Sequence, residues 1–335
     1  MKTLTSLLIS LFITLSSFSC VLGWGPDGHM AVGQIASLRI KAHTRQRISQ
    51  ILKPGETLAG IANWADQVKF RVGETDPDAD TNAFLQDVAH NAQNANWHFD
   101  DLPLGCGGYN TCAGFTPGND VVHIINICIR TLQGVPDPNQ PLTQRNAMRL
   151  LVHLVGDLHQ PLHVGSGYIN ENGPNHRIVI VRNPSAISAS TPNDQGANLL
   201  IIDGHNKNLH SFWDVDLVHL LMTKTYKQSA ATLAQFLKTK VTPHAGWGGQ
   251  GAVDTWTAQW ATDSLHVSGD NAYRSVRILS KRSVTTTHNG TTQTKTVYDI
   301  RRAANYNTSN IPVVRTQLAK GGFRLAKLLD AIFVN

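Results

Sequence analysis

Long apolar runs, internal repeats and low-complexity segments are largely missing from this 335-residue sequence. After residue 23 no stretch approaches 18 uninterrupted apolar residues, so we expect no membrane span in the mature protein. The lack of a linker rich in Pro, Gly or Ser predicts a single domain, residues 24–335. A hydrophobic content of 41% and a charged content of 16% indicate a globular protein with a sizeable core.

The first 23 residues differ from the rest and are predicted to be a secretory signal peptide. Lys2 precedes an apolar run over residues 7–18, and small residues around Gly23 provide a cleavage site. Cleavage there makes Trp24 the first residue of the mature protein. We therefore expect a secreted, extracellular protein, or a periplasmic one if the source is Gram-negative.

Cysteine is scarce, and its positions suit an oxidising compartment. Of the 4 cysteines, Cys20 leaves with the leader. Cys106 and Cys112 flank a Gly-rich turn, which predicts a local disulfide. Cys128 lies in an apolar run, so we expect it to be a buried free thiol.

The charge of the chain suits a polyanionic substrate but does not identify one. The formal net charge is +6, and many secreted proteins are basic. The sequons at Asn289 and Asn307 predict glycosylation in a eukaryotic host.

Most of the mature chain has the periodicity of helices. The clearest apolar-periodic runs are residues 121–132, 147–158, 217–237 and 313–333. Residues 177–182 alternate β-branched side chains and predict a strand. Residues 283–298 form two Thr/Val-rich arms around Asn289-Gly290, which predicts a β-hairpin. We expect both β segments to be surface excursions on a mainly α body.

The spacing of histidine and aspartate predicts a metal site. His153 and Asp157 are four residues apart, so on a helix they share one face and reach the same cation. Pro161 ends that helix and returns His163 toward this face. Imidazole and carboxylate together suit zinc, and an aspartate can bridge two ions.

A single His-x-x-x-Asp pair is more often a hydrogen-bonded pair than a metal site. The chain contains a second such pair, His210 and Asp214, which favours metal binding over that simpler interpretation. His159 falls off the shared face, and we expect a structural or supporting role for it.

Three tryptophan motifs precede these pairs: WGPDGH at 24–29, WAD at 64–66 and WHF at 97–99. In this order the motifs resemble those of the class I zinc-dependent nucleases, which include fungal single-strand-preferring nucleases and plant bifunctional nucleases. The resemblance extends from Trp24 to residues 322–326, which are similar to the family's closing helix. It implies a multi-helix fold of the zinc nuclease/phospholipase C type with one or two small β-hairpin excursions.

The resemblance also implies three zinc ions per chain, with nine ligand residues. The first ion takes Asp66, His98, His153 and Asp157. The second takes the α-amino nitrogen and carbonyl oxygen of Trp24, with His29 and the shared Asp157. The third takes His163, His210 and Asp214.

Three further residues receive roles from the resemblance. Lys69 falls where the family has a basic residue near the phosphate, and Asp101 where an acidic residue supports it. Phe99 falls where an aromatic ring stacks on a base, although core packing explains a phenylalanine there equally well.

The implied function is a secreted endonuclease that cleaves single-stranded DNA and RNA to 5′-phosphorylated nucleotides and also acts on 3′-mononucleotides. Hydroxide activated by the trinuclear centre, with Asp157 bridging two ions, attacks phosphorus in line with the departing 3′-oxygen. Lys69 then offsets the negative charge of the transition state. Contacts to phosphate and one base face predict no sequence-specific recognition, and we expect a monomer.

Two departures from the family pattern concern the same region. Residues 196–198 read Gly-Ala-Asn where the family has Gly-Gly-Asn. Segment 167–194 makes the separation between His163 and His210 longer than in the fungal members. We expect this segment to border the cleft and to alter substrate preference.

Two alternative functions are compatible with the pattern. A zinc-dependent phospholipase C resembles this family in fold and cluster, but has a wider gap after its N-terminal tryptophan and usually a glutamate as its last ligand. Here the gap is Trp24 to His29, and the last ligand is Asp214. A non-catalytic zinc-binding protein is the second alternative, against which the full ligand set and Lys69 argue.

Overall fold

The computed structural model describes residues 23–112, 114–288 and 291–334. The predicted signal peptide, apart from Gly23, therefore lies outside the described residues, as does the Asn289-Gly290 turn. Within these ranges no helix combines the length and apolar character that crossing a bilayer requires.

Helices make up most of the described chain, which confirms the mainly α prediction. They are α1 (Pro26–Ser37), α2 (Ala42–Ile51), α3 (Leu58–Ile61), α4 (Trp64–Val68), α5 (Ala79–Gln86), α6 (Val88–Asn91), α7 (Val121–Leu132), α8 (Gln144–Leu158), α9 (Leu209–Ser211), α10 (Leu217–Lys224), α11 (Ala230–Lys240), α12 (Trp256–Val267) and α13 (Tyr306–Ile332). One hydrophobic cluster of buried side chains extends along the sequence from Trp24 to Phe333.

Helix α8 forms the centre of this core. Thr143 caps its N-terminus by accepting a hydrogen bond from the backbone N–H of Asn146, and every residue from 145 to 158 is buried. Helices α1, α4, α7 and α13 all pack against it. Helix α13 also approaches α1 closely, because a Cβ at Gly322 would lie only 2.4 Å from the Cβ of Ile35.

The strands are short apart from one hairpin. They are β1 (Leu102–Pro103), β2 (Gly165–Ser166), β3 (Ile169–Asn170), β4 (Val179–Ile180), β5 (Leu200–Ile202), β6 (Val276–His288) and β7 (Thr291–Arg302). Strands β1 and β2 pair in parallel, β3 and β4 pair antiparallel, and the remaining strands form a sheet in the order β5-β7-β6.

Three predictions about these elements need correction. Segment 217–237 is two helices, because Ser229 caps α11 with a capping box and separates it from α10. The predicted hairpin is longer than 283–298 and is not only a surface excursion. Its strand β7 pairs in parallel with β5, and Tyr298 and Ile300 are buried. The strand predicted over 177–182 is confined to β4.

The predictions for Cys106, Cys112 and Cys128 are confirmed. Cys106 and Cys112 form a disulfide, and Cys128 is a buried free thiol in α7. The disulfide closes the loop between β1 and α7.

A network of ion pairs ties the start of α8 to the loops before α3 and α5. Arg145 contacts Asp78 at 2.7 Å and Asp80 at 2.9 Å, and it also pairs with Glu56. Arg149 contacts Glu56 at 3.1 Å. Partial burial alone would raise the pKa of Glu56, but the hydrogen bonds from Arg145 outweigh it and hold the pKa at about 2. The network therefore stabilises the folded state only while its carboxylates are ionised.

We expect Arg145→Met to lower the free energy of unfolding by about 2–3 kcal/mol at pH 7, since partly buried carboxylates lose their partner. The folded pKa of Glu56 lies below its ordinary value of 4.5, so the stabilisation is present above that pH and is lost as the pH falls toward 2. Urea unfolding at pH 7 and pH 3 measures both effects. The control is Arg130→Met, which breaks a more exposed pair with Asp137 and should cost under about 1 kcal/mol. Equal losses in the two variants would contradict this assignment.

Candidate metal centre and its cavity

The C-terminal half of α8 carries the first two candidate ligands on one face. His153 and Asp157 are fully buried, and Nε2 of His153 lies 3.1 Å from Oδ2 of Asp157. From α1, the ring of His29 stacks on that of His153 with centroids 3.9 Å apart. Gly156 makes this approach possible, because a Cβ there would lie 2.6 Å from Nδ1 of His29.

Two other elements bring Asp66 and His98 to the same place. Asp66 lies in α4, and His98 ends a 3₁₀ turn before β1. Nδ1 of His98 lies 3.0 Å from Oδ2 of Asp157 and 3.7 Å from Oδ1 of Asp66. Ligands at the corners of a tetrahedron around zinc are separated by about 3.3 Å, given bonds of about 2.0–2.1 Å. The spacing of these atoms therefore suits a shared cation.

A second group of ligands lies beside the first. Strand β2 pairs with β1, so the chain at His163 runs beside the chain at His98, and Asp100 N–H donates to His163 O at 2.7 Å. Nε2 of His210 lies 3.5 Å from Oδ2 of Asp214, where α9 continues into a π-helical turn. Candidate ligand atoms of His163, His210 and Asp214 all lie within 4.8 Å of one another.

Backbone carbonyls orient three of the imidazoles. Nδ1 donates to Ala62 O in His153, to His98 O in His163 and to Gly196 O in His210, at 2.6–2.7 Å. This hydrogen bond places the proton on Nδ1 and leaves Nε2 as the lone-pair donor. The rings are thus held in the tautomer that a metal ion requires.

The chain at residues 23–24 enters the same centre. Gly25 N–H donates to Asp214 O at 2.8 Å, and Trp24 is fully buried. A Cβ built on Gly23 would lie 1.8 Å from Oδ1 of Asp157 and 2.6 Å from Nε2 of His29. The backbone before Trp24 therefore occupies the space between these two side chains.

Several buried polar atoms at this centre have no hydrogen-bond partner among the described residues. They are Nδ1 and Nε2 of His29, Oδ1 of Asp66, Oδ1 of Asp157, Nε2 of His163, Nε2 of His210 and Oδ2 of Asp214. A buried polar atom without a partner costs about 1–3 kcal/mol. Their convergence fits bound cations, and the donor set of imidazole nitrogen and carboxylate oxygen fits zinc.

The protein's own groups shift the pKa values of the candidate ligands in opposite directions at this centre. Burial would lower the pKa of His153, but the charges of Asp157 and Asp66 outweigh it and raise the pKa to about 9. Burial, followed by the charge of Lys69, lowers the pKa of His98 to about 3. Burial raises the pKa of Asp214 well above its ordinary value. A cation would instead favour neutral imidazoles and ionised carboxylates.

A cavity of about 620 Å³ opens beside His163 and His210. Lys69, Phe99 and Asp101 all line it, although the sequence separates Lys69 from the other two. Asp101 accepts a hydrogen bond from the Ser166 hydroxyl, which in turn accepts one from Gly196 N–H. The structure thus brings all the predicted substrate-contacting residues to one cavity next to the predicted ligands.

Two supporting residues were not predicted from the sequence. Gln160 Nε2 donates to Oδ1 of Asp214 at 2.6 Å and so directs Oδ2 toward the centre. Buried Asp194 accepts hydrogen bonds from Gly167 N–H, Ala197 N–H and the Tyr273 hydroxyl. Only the run Gln-Pro-Leu-His after α8 signals Gln160, and no local pattern signals Asp194.

Asp194 fixes a strained loop that orients His210. Gln195, Gly196 and Ala197 all have positive φ, at 57°, 59° and 67°. Gly196 at the middle of this turn is required, because a Cβ there would lie 2.2 Å from Leu162 O. Ala197, where the resemblance predicts a glycine, adopts a left-handed backbone conformation in this turn.

Two other predicted features lie apart from the centre. His159 donates through Nδ1 to Val155 O and accepts from Arg324 at 3.0 Å, which is a structural role in the core. Within the described chain, no residue of segment 167–194 lines the cavity. The expectation that this segment borders the cleft is therefore wrong, because none of its described residues lines the cavity.

The comparisons with known proteins agree with the motif resemblance. A family model described as S1/P1 Nuclease matches residues 24–334. Endonuclease 2 of Arabidopsis thaliana is 23% identical over 93% of this chain and 91% of that protein. Nuclease S1 of Aspergillus oryzae is 26% identical over 95% of each chain, and nuclease P1 of Penicillium citrinum is 26% identical over 92% of this chain and 97% of its own. The chain belongs to the S1/P1 nuclease family.

We expect Gly156→Ala to weaken zinc binding roughly 10–100-fold, because the added methyl displaces the His29 ring while the charges stay unchanged. A competition titration with a zinc chelator measures this change. Gly321→Ala in α13 is the matched control, since its Cβ would meet only ordinary contacts at 3.4 Å. Unchanged zinc affinity in Gly156→Ala would mean that His29 is not a ligand.

Proposed function

We propose that this member of the S1/P1 nuclease family is a secreted, zinc-dependent nuclease that hydrolyses single-stranded DNA and RNA to 5′-phosphorylated nucleotides and also hydrolyses 3′-mononucleotides. The observation that carries the proposal is the convergence of buried, unpartnered imidazole and carboxylate atoms beside a cavity lined by Lys69, Phe99 and Asp101. We further propose that the chain acts as a monomer without sequence preference.

We assign three zinc ions to these residues. Asp66, His98, His153 and Asp157 would hold the first, since ligand atoms of the last three lie within 4.8 Å of one another and Nε2 of His153 lies 3.7 Å from Oδ1 of Asp66. His163, His210 and Asp214 would hold the third. His29, Asp157 and the amine and carbonyl of Trp24 would hold the second. Zinc, when bound, supplies the Lewis acidity that activates water and neutralises phosphate charge.

We propose that residues lining the cavity position the substrate. The charge of Lys69 contributes to lowering the pKa of His98 and of His163, so the ammonium acts on the metal centre. A phosphate bound at this centre would bring negative charge next to the same ammonium. Asp101 lines the same cavity as Lys69 and is held by the Ser166 hydroxyl, so we propose that it supports that lysine or accepts a hydrogen bond from a base.

Phe99 supplies a face for a base. Its partly exposed ring lines the cavity next to His163, so it is available for stacking rather than fully enclosed in the core. A base reaches this ring only after leaving its neighbours in a duplex, which favours single strands over helical DNA.

Removal of the signal peptide would complete the centre. With Gly23 attached, the chain fills the space between Asp157 and His29. Cleavage after Gly23 would free both this space and the α-amine of Trp24. The enzyme would then gain its second zinc site on the secretory route.

The direct test is release of acid-soluble nucleotides from denatured DNA and from RNA by the protein that begins at Trp24. We expect activity that EDTA abolishes and zinc restores. We expect Lys69→Gln to lower kcat about 100-fold, since it removes a charge that acts on the transition state. If the zinc-loaded protein leaves both polymers intact and hydrolyses phosphatidylcholine, the phospholipase alternative replaces this proposal.

A second test retains Ala-Gly ahead of Trp24. We expect this form to bind one zinc fewer per chain by mass spectrometry and to lose nuclease activity, since an amide nitrogen cannot act as an amine ligand. The control carries Ala-Gly after Asn335 instead. Full activity and zinc content in the N-terminally extended form would contradict a role for the Trp24 amine.

A further inference from the structure

Acidic residues are unevenly distributed along the chain. Residues 28–55, 217–253 and 300–329 contain no Asp or Glu, although the whole chain has 23 such residues. The helices of these three segments pack together in the fold, with α11 against α1 and α13, and α10 against α13. The three segments therefore bring Lys and Arg side chains to neighbouring parts of the surface without acidic residues of their own.

Hydrogen bonds place the end of α11 between two arginines from other parts of the chain. Arg39, which follows α1, donates to Lys238 O at 3.3 Å. Arg315 of α13 donates to Lys240 O at 2.7 Å. The four side chains therefore come from three segments that are distant in sequence but adjacent in the fold.

Two further basic side chains join this group. Nζ of Lys227 and Cζ of Arg315 lie 5.4 Å and 5.6 Å from the centre of the Phe236 ring. Arg45 of α2 donates at 3.0 Å to the backbone carbonyl two residues before Arg39. We call these six residues the basic face: Arg39, Arg45, Lys227, Lys238, Lys240 and Arg315.

The charges of the basic face are not neutralised by the protein. All six side chains are at least partly exposed, and none forms an ion pair with any residue that the structure describes. By contrast, Lys53, Lys207 and Lys281 all pair with carboxylates elsewhere on the surface. Asp330, which lies near the start of α2, instead accepts a hydrogen bond from the Thr44 hydroxyl at 2.6 Å.

Helix stability alone does not explain this composition. Lys238 and Lys240 lie in the last turn of α11, where the helix dipole favours positive charge. By the same rule, acidic residues are favoured in the first turns of α2, α11 and α13, yet none of these turns contains one. Like charges on neighbouring helices also repel one another, which destabilises the compact state. The composition therefore favours a role for this surface in binding an anion.

The basic face is separate from the candidate metal centre. His29 lies near the start of α1 and Arg39 lies ten residues later, which corresponds to about 15 Å along a helix. Among the described residues that line the cavity beside the centre, none belongs to the basic face. One phosphate therefore cannot contact both places, and an anion that reaches both must be a polymer.

Nucleic acid fits the basic face better than a lipid bilayer does. A helix that lies on a membrane needs an apolar face as well as positive charge. Here Tyr226 is highly exposed beside Lys227, but Phe236 is partly buried and lies beneath the cations of Lys227 and Arg315. A phosphate backbone needs only the positive charges, because release of its counterions drives binding.

We propose that the basic face is a secondary binding surface for nucleic-acid polymers, which holds the substrate through its phosphates at a distance from the metal centre. Contacts to phosphate carry no sequence information, so the surface binds single and double strands alike. The inference rests on the proposed nuclease function and adds a place where a long substrate stays bound between cuts.

The first test measures equilibrium binding of a fluorescent DNA duplex to the zinc-loaded protein by anisotropy over a range of salt concentrations, with the duplex checked for integrity on a gel. We expect the triple variant Lys227→Gln/Lys238→Gln/Lys240→Gln to bind at least about tenfold more weakly. The slope of log affinity against log salt should become shallower by about 0.9 per lysine. The corresponding triple substitution to Arg keeps the charges and should bind as the wild type does.

The matched control is Arg177→Gln/Arg274→Gln/Arg277→Gln, which removes the same net charge at exposed positions outside the basic face. We expect its affinity for the duplex to stay within about threefold of the wild type. Equal losses in the two triple variants would assign the binding to net charge and overturn the proposal. Retained duplex binding with lost binding to phosphatidylserine vesicles in the Lys→Gln variant would overturn it in favour of a membrane.

The second test compares kcat/KM of the zinc-loaded protein for a long single strand and for a dinucleotide, which is too short to reach the basic face. We expect the Lys→Gln triple variant to lower the long-strand value about fivefold to tenfold. Its unchanged value for the dinucleotide would show that the variant is folded. An unchanged long-strand value would overturn the role of the basic face in holding substrate. A wild-type protein that binds the duplex but cleaves neither substrate would overturn the nuclease proposal and leave the binding surface.

Discussion

The arrangement of the whole centre follows from one buried carboxylate. Asp157 is fully buried and is the penultimate residue of α8, so it lies at the negative end of a helix dipole. Burial would raise its pKa, yet the charges of His153 and His163 hold the pKa well below its ordinary value. An ionised carboxylate in such a place needs positive charge around it. Histidines alone supply this only when protonated, whereas bound cations supply it at any pH that keeps the ligands deprotonated.

The elements around α8 bring the other candidate ligands to Asp157. Helix α1 brings His29, α4 brings Asp66, and the parallel pairing of β1 with β2 places His98 beside His163. Two glycines allow close packing. Gly156 leaves room for the His29 ring, and Gly322 lets α13 approach α1. The burial that stabilises the fold is thus the same burial that leaves ligand atoms without other partners. Removing the centre from this core would expose the ligands to water and to competing hydrogen bonds.

Sequence periodicity predicted the elements whose signals are local. The run that became α7 and the His153–Asp157 face of α8 follow from helical spacing, and the hairpin follows from Asn289-Gly290. The division of 217–237 was missed because both halves are apolar, and only Ser229 signals the new start. Asp194 and Gln160 were missed because their partners are distant in sequence. The parallel pairing of β7 with β5 was missed for the same reason, since strand partners depend on tertiary packing rather than on local pattern.

The central claim is that Asp157 and its neighbours hold three zinc ions in the protein that begins at Trp24. Diffraction data collected on both sides of the zinc absorption edge test this claim without relying on activity. We expect three anomalous peaks per chain, with two of them sharing Asp157 and the third between His163, His210 and Asp214. A single peak, or peaks away from these side chains, would contradict it.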